Sequence, residues 1–222
     1  MTLILAHRID GHLVVVTDGA GSSGPKCCFF PKHCAIVPFW GYYHLCPIAL
    51  NAAPSRVPAN SQQQAKANYI GDALPDPKAD KDKFVAAFET GLNGAENVHN
   101  GDGKSGSAGI LLGFAFNSGV EALVYDVNSG KGSWKLREKV TNWPVAYGQA
   151  HETVEMLAKS YNTSLAGFIG SVKSIDDFAK KAKELVALTS DYLVTKKLQR
   201  TIALPAWLVV LSKDGTSKDA KL

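Results

Sequence analysis

The sequence of 222 residues predicts an α+β fold, a four-layer αββα sandwich of two antiparallel sheets covered by helices. Two observations predict it. Strand, helix, strand, helix and final strand patterns follow one another along the chain. The strand segments are apolar without alternation, which is typical of sheets covered on both faces. We expect a single domain over residues 1–222, since this length fits one domain with a sizeable core.

The first eighteen residues have the pattern of a β-hairpin. Apolar runs at 3–6 and 13–16 flank Asp10-Gly11, a dipeptide that tolerates the positive φ angles of a tight primed turn. A two-residue turn at this point places Leu3 opposite Asp18. The hairpin therefore brings the start of the chain next to a carboxylate.

The second residue gives this end of the chain a possible chemistry. Removal of Met1, which a small second residue permits, would leave a free α-amine on Thr2. A threonine hydroxyl is a poor nucleophile until a base takes its proton, and an α-amine with a pKa of about 7.7–8.0 can be that base. A lysine held by Asp18 would lower the proton affinity of the amine. Alternatively, Thr2 is only a β-branched residue at the start of a buried strand.

Together, Thr2, the Asp-Gly hairpin and Asp18 resemble the opening of the proteasome β-type branch of the N-terminal nucleophile hydrolases. In that family the site consists of the N-terminal Thr, an Asp at the end of the second strand and a Lys on the following strand. The resemblance therefore implies that Thr2 and Asp18 are catalytic. It also implies an insertion or irregular segment at 47–79, where the family has its first long helix and where this chain has Pro54 and Pro58.

The third catalytic residue implied by the resemblance is Lys26. It opens an apolar run at 27–30, and its interval to Gly41 agrees with the family, although the family usually has a longer loop before this lysine. Lys32 is the alternative, but its neighbouring proline is typical of a turn between two strands. A backbone N–H near Gly41 would stabilise the oxyanion.

Two supporting positions depart from the family. Active members have a Ser that supports the nucleophile's amine, whereas this chain has Tyr147 or Gln149 there, depending on the alignment; Gln149 is the residue we assign to the site. The family's Asp-x-x-Ser near the end of the last long helix is also missing, because Asp191 is followed three residues later by Val194. Ser190 and Asp191 could rebuild it.

The remaining elements follow from local signals. Asp80 is expected to cap a helix, and the glycine-rich stretch at 91–109 to form a loop. Ser174 begins a second capped helix with an apolar stripe, preceded by a helix after residue 150. The polar tail at 213–222 is expected to fray. Strands are predicted at 109–116, 120–127, 133–140 and 205–211.

Composition excludes several classes of function. Hydrophobic residues make up 45% and charged residues 20%, with a net charge of +4, and no Lys/Arg cluster is interleaved with aromatics, so we expect no nucleic-acid partner. No apolar run has the length of a membrane span or the flanks of a signal peptide. The cysteines and histidines lack metal-ligand spacings. We therefore expect a cytoplasmic protein with reduced thiols, no metal and no cofactor.

The resemblance implies an N-terminal threonine amidohydrolase or peptidase. Thr2 would attack an amide of a peptide or protein substrate, and the chain would assemble into a homo-oligomeric ring. If an amine rather than water meets the ester intermediate, the same site becomes a peptide ligase or transpeptidase. The departures from the family pattern favour a different class, a non-catalytic structural ring subunit.

Overall fold

The structure is a computed structural model that describes residues 2–19, 25–41, 74–99, 107–117, 119–128, 134–148, 150–161, 163–169, 172–196 and 202–222. The chain divides into two compact units. The first comprises Met1–Cys27, Thr141–Val210 and Lys218–Leu222, and the second comprises Cys28–Val140 and Leu211–Ser217. The single domain over residues 1–222 stays a prediction.

The strands in chain order are β1 (Ile4–Ile9), β2 (His12–Thr17), β3 (Cys27–Phe30), β4 (Ala35–Gly41), β5 (Ser107–Phe116), β6 (Gly119–Asn128), β7 (Lys135–Lys139), β8 (Val145–Tyr147), β9 (Trp207–Leu211) and β10 (Ser217–Lys221). The α-helices are α1 (Lys81–His99), α2 (His151–Ser160), α3 (Leu165–Ile169) and α4 (Ile175–Thr195). The strands form two five-stranded sheets, ordered β10-β9-β2-β1-β8 and β3-β4-β5-β6-β7.

The predicted hairpin of β1 and β2 is confirmed. The strands pair antiparallel, with Ile9 opposite His12 across the turn. Asp10 and Gly11 have φ angles of 50° and 80°, as a primed two-residue turn requires. The two strands lie inside the first sheet, flanked by β8 and β9.

Both faces of this hairpin are buried. Alternate side chains of the hairpin form one core with apolar side chains of α2, α3 and α4: Leu3, Leu5, Ile9, Val14, Val16, Val154, Leu165, Phe178 and Leu185. The intervening side chains, including Ile4, Ala6, Leu13 and Val15, are also fully buried. Burial on both faces explains why the sequence shows unbroken apolar runs rather than alternation.

The second sheet packs against α1. Phe84, Phe88 and Leu92 of this helix lie fully buried in a core with side chains from β3 to β6. The Phe84 ring contacts Phe114 at a centroid distance of 5.2 Å. Every residue of β7, at the edge of the sheet, is exposed.

The predicted sandwich covered by helices on both outer faces is wrong. Among the described residues the helices number four, and α3 has five residues. In the described part of the second unit, α1 is the one helix in the core, and β7 has no cover. Helical cover is therefore weak. The prediction extended the apolar pattern of the central strands to edge strands whose charged side chains need no burial.

Two local predictions are also wrong, and two are confirmed. The 91–109 stretch is not a loop throughout, because α1 continues to His99. The tail does not fray, since β10 adds to the sheet and the Leu222 N–H donates to the Ala206 carbonyl at 2.9 Å. The side chains of Asp80 and Ser174 accept hydrogen bonds from the first turns of their helices, as predicted. Most of the predicted insertion at 47–79 lies outside the described residues.

Candidate active site

The open end of the hairpin is closed by Asp18. The Leu3 N–H donates to Asp18 Oδ1 at 2.8 Å, and the Asp18 N–H donates to the Leu3 carbonyl at 3.2 Å. The register of β1 and β2 thus continues one pair beyond the strands and places Leu3 opposite Asp18, as predicted. The side chain of Asp18 is fully buried.

Lys26 supplies a counter-charge for this carboxylate. Its Nζ donates to Asp18 Oδ2 at 2.8 Å, and its side chain is 11% exposed. The structure therefore brings together Asp18 and the lysine that the sequence favoured. The alternative, Lys32, lies in a short 3₁₀ helix (Pro31–His33) and is exposed.

Thr2 lies beside this ion pair along the chain. It directly precedes Leu3, whose N–H is bound by Asp18, and it is 6% exposed. One carboxylate thus connects the main chain next to Thr2 with the ammonium group of Lys26. An ion pair of this kind holds a positive charge at a fixed place with little contact to water, where electrostatic interactions are strong.

Thr17 was not predicted as part of the site. It is the last residue of β2, its side chain is fully buried, and its Oγ1 accepts a hydrogen bond from the Lys26 N–H at 3.2 Å. Thr17 and Asp18 therefore hold the main chain and the side chain of the same lysine. Thr17 has no distinguishing signal in the sequence, because threonine is common in strands.

Gly19 packs closely against a second segment of the first unit. Its N–H donates to the Ala203 carbonyl at 2.9 Å. A Cβ atom at Gly19 would lie 2.0 Å from the Pro205 carbonyl oxygen, a distance that real Cβ atoms do not reach. Only glycine fits this position without displacing the main chain that follows Asp18.

The two supporting residues of the predicted site have different outcomes. Gly41 is the last residue of β4, is paired with Ala108, and belongs to the second unit. Gln149 lies outside the described residues. The alternative to Gln149, Tyr147, lies in β8, is buried, and pairs with Ile4, two residues after Thr2.

The predicted replacement for the missing Asp-x-x-Ser motif lies on α4. Ser190 is buried, whereas Asp191 is exposed. The neighbouring Thr189 is buried and donates its hydroxyl to the Leu185 carbonyl at 2.6 Å, a bond internal to the helix. A rebuilt motif of Ser190 and Asp191 stays a prediction.

Two other features are absent from the part of the chain that the structure describes, a metal-binding cluster and a membrane-spanning helix. There, no group of three or more His, Cys, Asp and Glu side chains is arranged to hold a metal ion. None of the described helices combines the length and the apolar character that crossing a membrane requires.

No protein-family model matches the chain, and no curated protein matches it. Solved structures with a similar fold include three Anbu chains. A mutant of Anbu from Hyphomicrobium sp. strain MC1 is 10% identical, with 100% of this chain and 86% of that chain covered and a TM-score of 0.52. Anbu from Yersinia bercovieri, described as an ancestral beta-subunit, is 11% identical, with 99% and 86% covered and a TM-score of 0.50. Another Anbu structure from the Hyphomicrobium strain is 10% identical, with the same coverage as the Yersinia chain and a TM-score of 0.50.

These findings correct the family resemblance drawn from the sequence. The neighbours indicate a proteasome-related fold, but at 10–11% identity they give no clear match to the N-terminal nucleophile hydrolases. Placing the chain in that superfamily is therefore wrong. The resemblance depended on one turn and a few residues near the start of the chain. Such a short motif predicts a local geometry but does not identify a protein family. A likeness at this level of identity concerns the fold and demonstrates no catalytic activity.

Proposed function

We propose that this protein is a threonine-type amidohydrolase or peptidase in which Thr2, freed by removal of Met1, is the nucleophile. The observation that carries the proposal is the buried Asp18 carboxylate, which accepts hydrogen bonds from both the Leu3 N–H and the Lys26 ammonium. A buried charge pair is costly to keep in a core, and here it lies beside a residue whose hydroxyl and free amine could perform acyl transfer.

The proposed reaction has two halves. The α-amine of Thr2 takes the proton from Thr2 Oγ1, and this oxygen attacks the carbonyl carbon of the substrate amide. The C–N bond of the amide then breaks, the amine returns the proton to the departing nitrogen, and an ester on Thr2 remains. The same amine then takes a proton from water, whose oxygen attacks the carbonyl carbon of the ester. The bond between that carbon and Thr2 Oγ1 breaks, the amine returns the proton to Oγ1, and the acid product leaves.

Lys26 acts on the amine without reacting. Its positive charge disfavours protonation of a nearby amine, so a larger fraction of the amine is neutral and able to accept a proton. Asp18 compensates that charge within the protein and fixes its position. This division of roles explains why both members of the pair would be required for activity.

One further residue belongs to the proposal: Gln149 would support the amine in place of a serine. Substrates would be amides of peptides or proteins. Self-association is also proposed, supported by the description of the Yersinia neighbour as a beta-subunit.

Two alternatives remain open to experiment. An amine that replaces water in the second half-reaction would make the protein a ligase or transpeptidase. A non-catalytic structural subunit is favoured by Tyr147, a bulky residue in β8 at one of the two positions where a supporting serine would be expected.

The decisive experiment is the intact mass of the purified chain before and after incubation with a β-lactone or epoxyketone probe. We expect loss of Met1 and a single adduct that is absent in Thr2→Ala. The matched control is Thr216→Ala, which removes an exposed threonine of the second unit and should leave the adduct unchanged. A retained Met1 with no adduct would refute the catalytic proposal, because an amide nitrogen on Thr2 cannot act as the base.

A further inference from the structure

We infer that Thr17 is a positioning residue that sets the place of Lys26 in the reaction; this inference rests on the proposed function. The Thr17 hydroxyl oxygen accepts the Lys26 N–H at 3.2 Å. The side chain of Thr17 is fully buried, so that the acceptor oxygen of this bond is shielded from water.

Thr17 and Asp18 are neighbours in the chain and bind two different groups of Lys26. Successive residues of a strand point to opposite faces, and the two residues accordingly hold different ends of one lysine. Asp18 binds the ammonium group at 2.8 Å, and Thr17 binds the main-chain N–H. Lys26 is thereby attached at two points to the end of β2.

The hydrogen bond from the Lys26 N–H to Thr17 restricts the position of the lysine. Lys26 directly precedes β3, and its long side chain has enough freedom to reach a carboxylate from several main-chain positions. The contact with Asp18 alone therefore does not determine the main-chain position of Lys26. With the N–H also bound, the main chain of Lys26 is fixed, and the ammonium group has one preferred place relative to the amine of Thr2.

The test compares Thr17→Val with Thr17→Ser. Valine keeps the shape of threonine but lacks the acceptor oxygen, whereas serine retains it. The measured quantity is the rate at which the epoxyketone probe forms the Thr2 adduct, followed by intact mass across a range of pH. We expect Thr17→Val to react roughly tenfold to a hundredfold more slowly, with the pH midpoint of the rate shifted upward because the displaced ammonium group no longer disfavours protonation of the amine. Thr17→Ser should keep the wild-type midpoint.

Thr189→Val is the matched control. Thr189 is a buried threonine whose hydroxyl also makes a hydrogen bond to the main chain, but within α4. Its replacement removes a similar bond and should lower stability without moving the pH midpoint. A merely structural role for Thr17 would make Thr17→Val behave like this control.

Hydrogen exchange of the Lys26 amide gives a second measurement that needs no variant. We expect this amide to be protected in the wild-type protein, and rapid exchange would overturn the inference. The inference would also be overturned if Thr17→Val still formed the Thr2 adduct with the wild-type rate and the wild-type pH midpoint. Absence of the adduct from wild-type protein would refute the proposed function itself, and the inference with it.

Discussion

Replacing the ammonium group of Lys26 should destabilise the protein strongly. In Lys26→Met a side chain of similar length remains, but the Asp18 carboxylate, which is 0% exposed, loses a counter-charge at 2.8 Å. Leaving one member of a buried pair uncompensated costs about 3–5 kcal/mol. Since folded domains are stable by roughly 5–15 kcal/mol, we expect a large fall in the free energy of unfolding.

The double variant Asp18→Asn/Lys26→Met separates charge from packing. No charge is left buried in it, and the amide oxygen of Asn can still accept the Leu3 N–H. Neutral replacement of a buried ion pair is often close to neutral in stability. We therefore expect the double variant to be more stable than Lys26→Met, with a coupling free energy of about 2–3 kcal/mol.

The assay is urea unfolding followed by tryptophan fluorescence, with the free energy obtained by linear extrapolation. The control is the exposed pair of Lys139 Nζ and Glu121 Oε2, at 2.9 Å with 53% and 22% side-chain exposure. Lys139→Met should cost less than about 1 kcal/mol, because water screens this pair. If the changes in the free energy of unfolding caused by Asp18→Asn and Lys26→Met were additive, the two side chains would not interact as a buried ion pair. If the double variant reacted with the probe as the wild type does, the ion pair would have no catalytic role.

Three further predictions concern other positions in the first unit. Gly19→Ala should lower the free energy of unfolding by about 1–3 kcal/mol, because a Cβ atom would lie 2.0 Å from the Pro205 carbonyl oxygen; an unchanged urea midpoint would contradict the close contact. Ser174→Ala should cost about 1 kcal/mol through loss of the cap that binds the Asp177 N–H, and Ser174→Asn, which can also cap, should restore it in the same unfolding assay. Burial lowers the pKa of His7, so the unfolded chain takes up the imidazole proton at a higher pH than the folded chain does. The free energy of unfolding therefore decreases as the pH falls below about 6.5. His7→Gln should lose less stability than wild type between about pH 7.5 and pH 5.5, and equal losses would contradict this account.

The hairpin was predictable because its signals are local. Asp10-Gly11 selects the turn through its backbone preferences, and the pairing of Leu3 with Asp18 then follows from the register alone. The contact between Asp18 and Lys26 required a family resemblance, because no local rule connects a strand end with a residue beyond the next loop. The structure contains the ion pair of these two residues, their catalytic role stays a prediction, and the comparisons do not support the family.

The errors arose where packing outweighs local preference. Gly91 and Gly94 each disfavour a helix by about 1 kcal/mol, yet α1 continues through both of them. Burial of Phe84, Phe88 and Leu92 in the second core stabilises the helix more than the glycines destabilise it. The tail was misjudged in a similar way, because a strand at a sheet edge can be polar throughout.

The roles of Thr17 and Gly19 were not predicted from the sequence, for a different reason. A buried threonine at a strand end and a glycine after it are common in any sheet protein, and their roles depend on main-chain groups far along the chain. The Lys26 N–H and the Pro205 carbonyl become neighbours of these residues only in the folded structure.

The burial of Thr2 has a practical consequence for how the protein is produced. Thr2 is 6% exposed and Leu3 is bound to Asp18, and a purification tag fused ahead of Thr2 would convert the proposed amine into an amide. A preparation made in that way would be inert even if the native protein were active. A tag placed after Leu222 would instead extend from β10, where Lys221 is exposed, and would leave the start of the chain in its native chemical form.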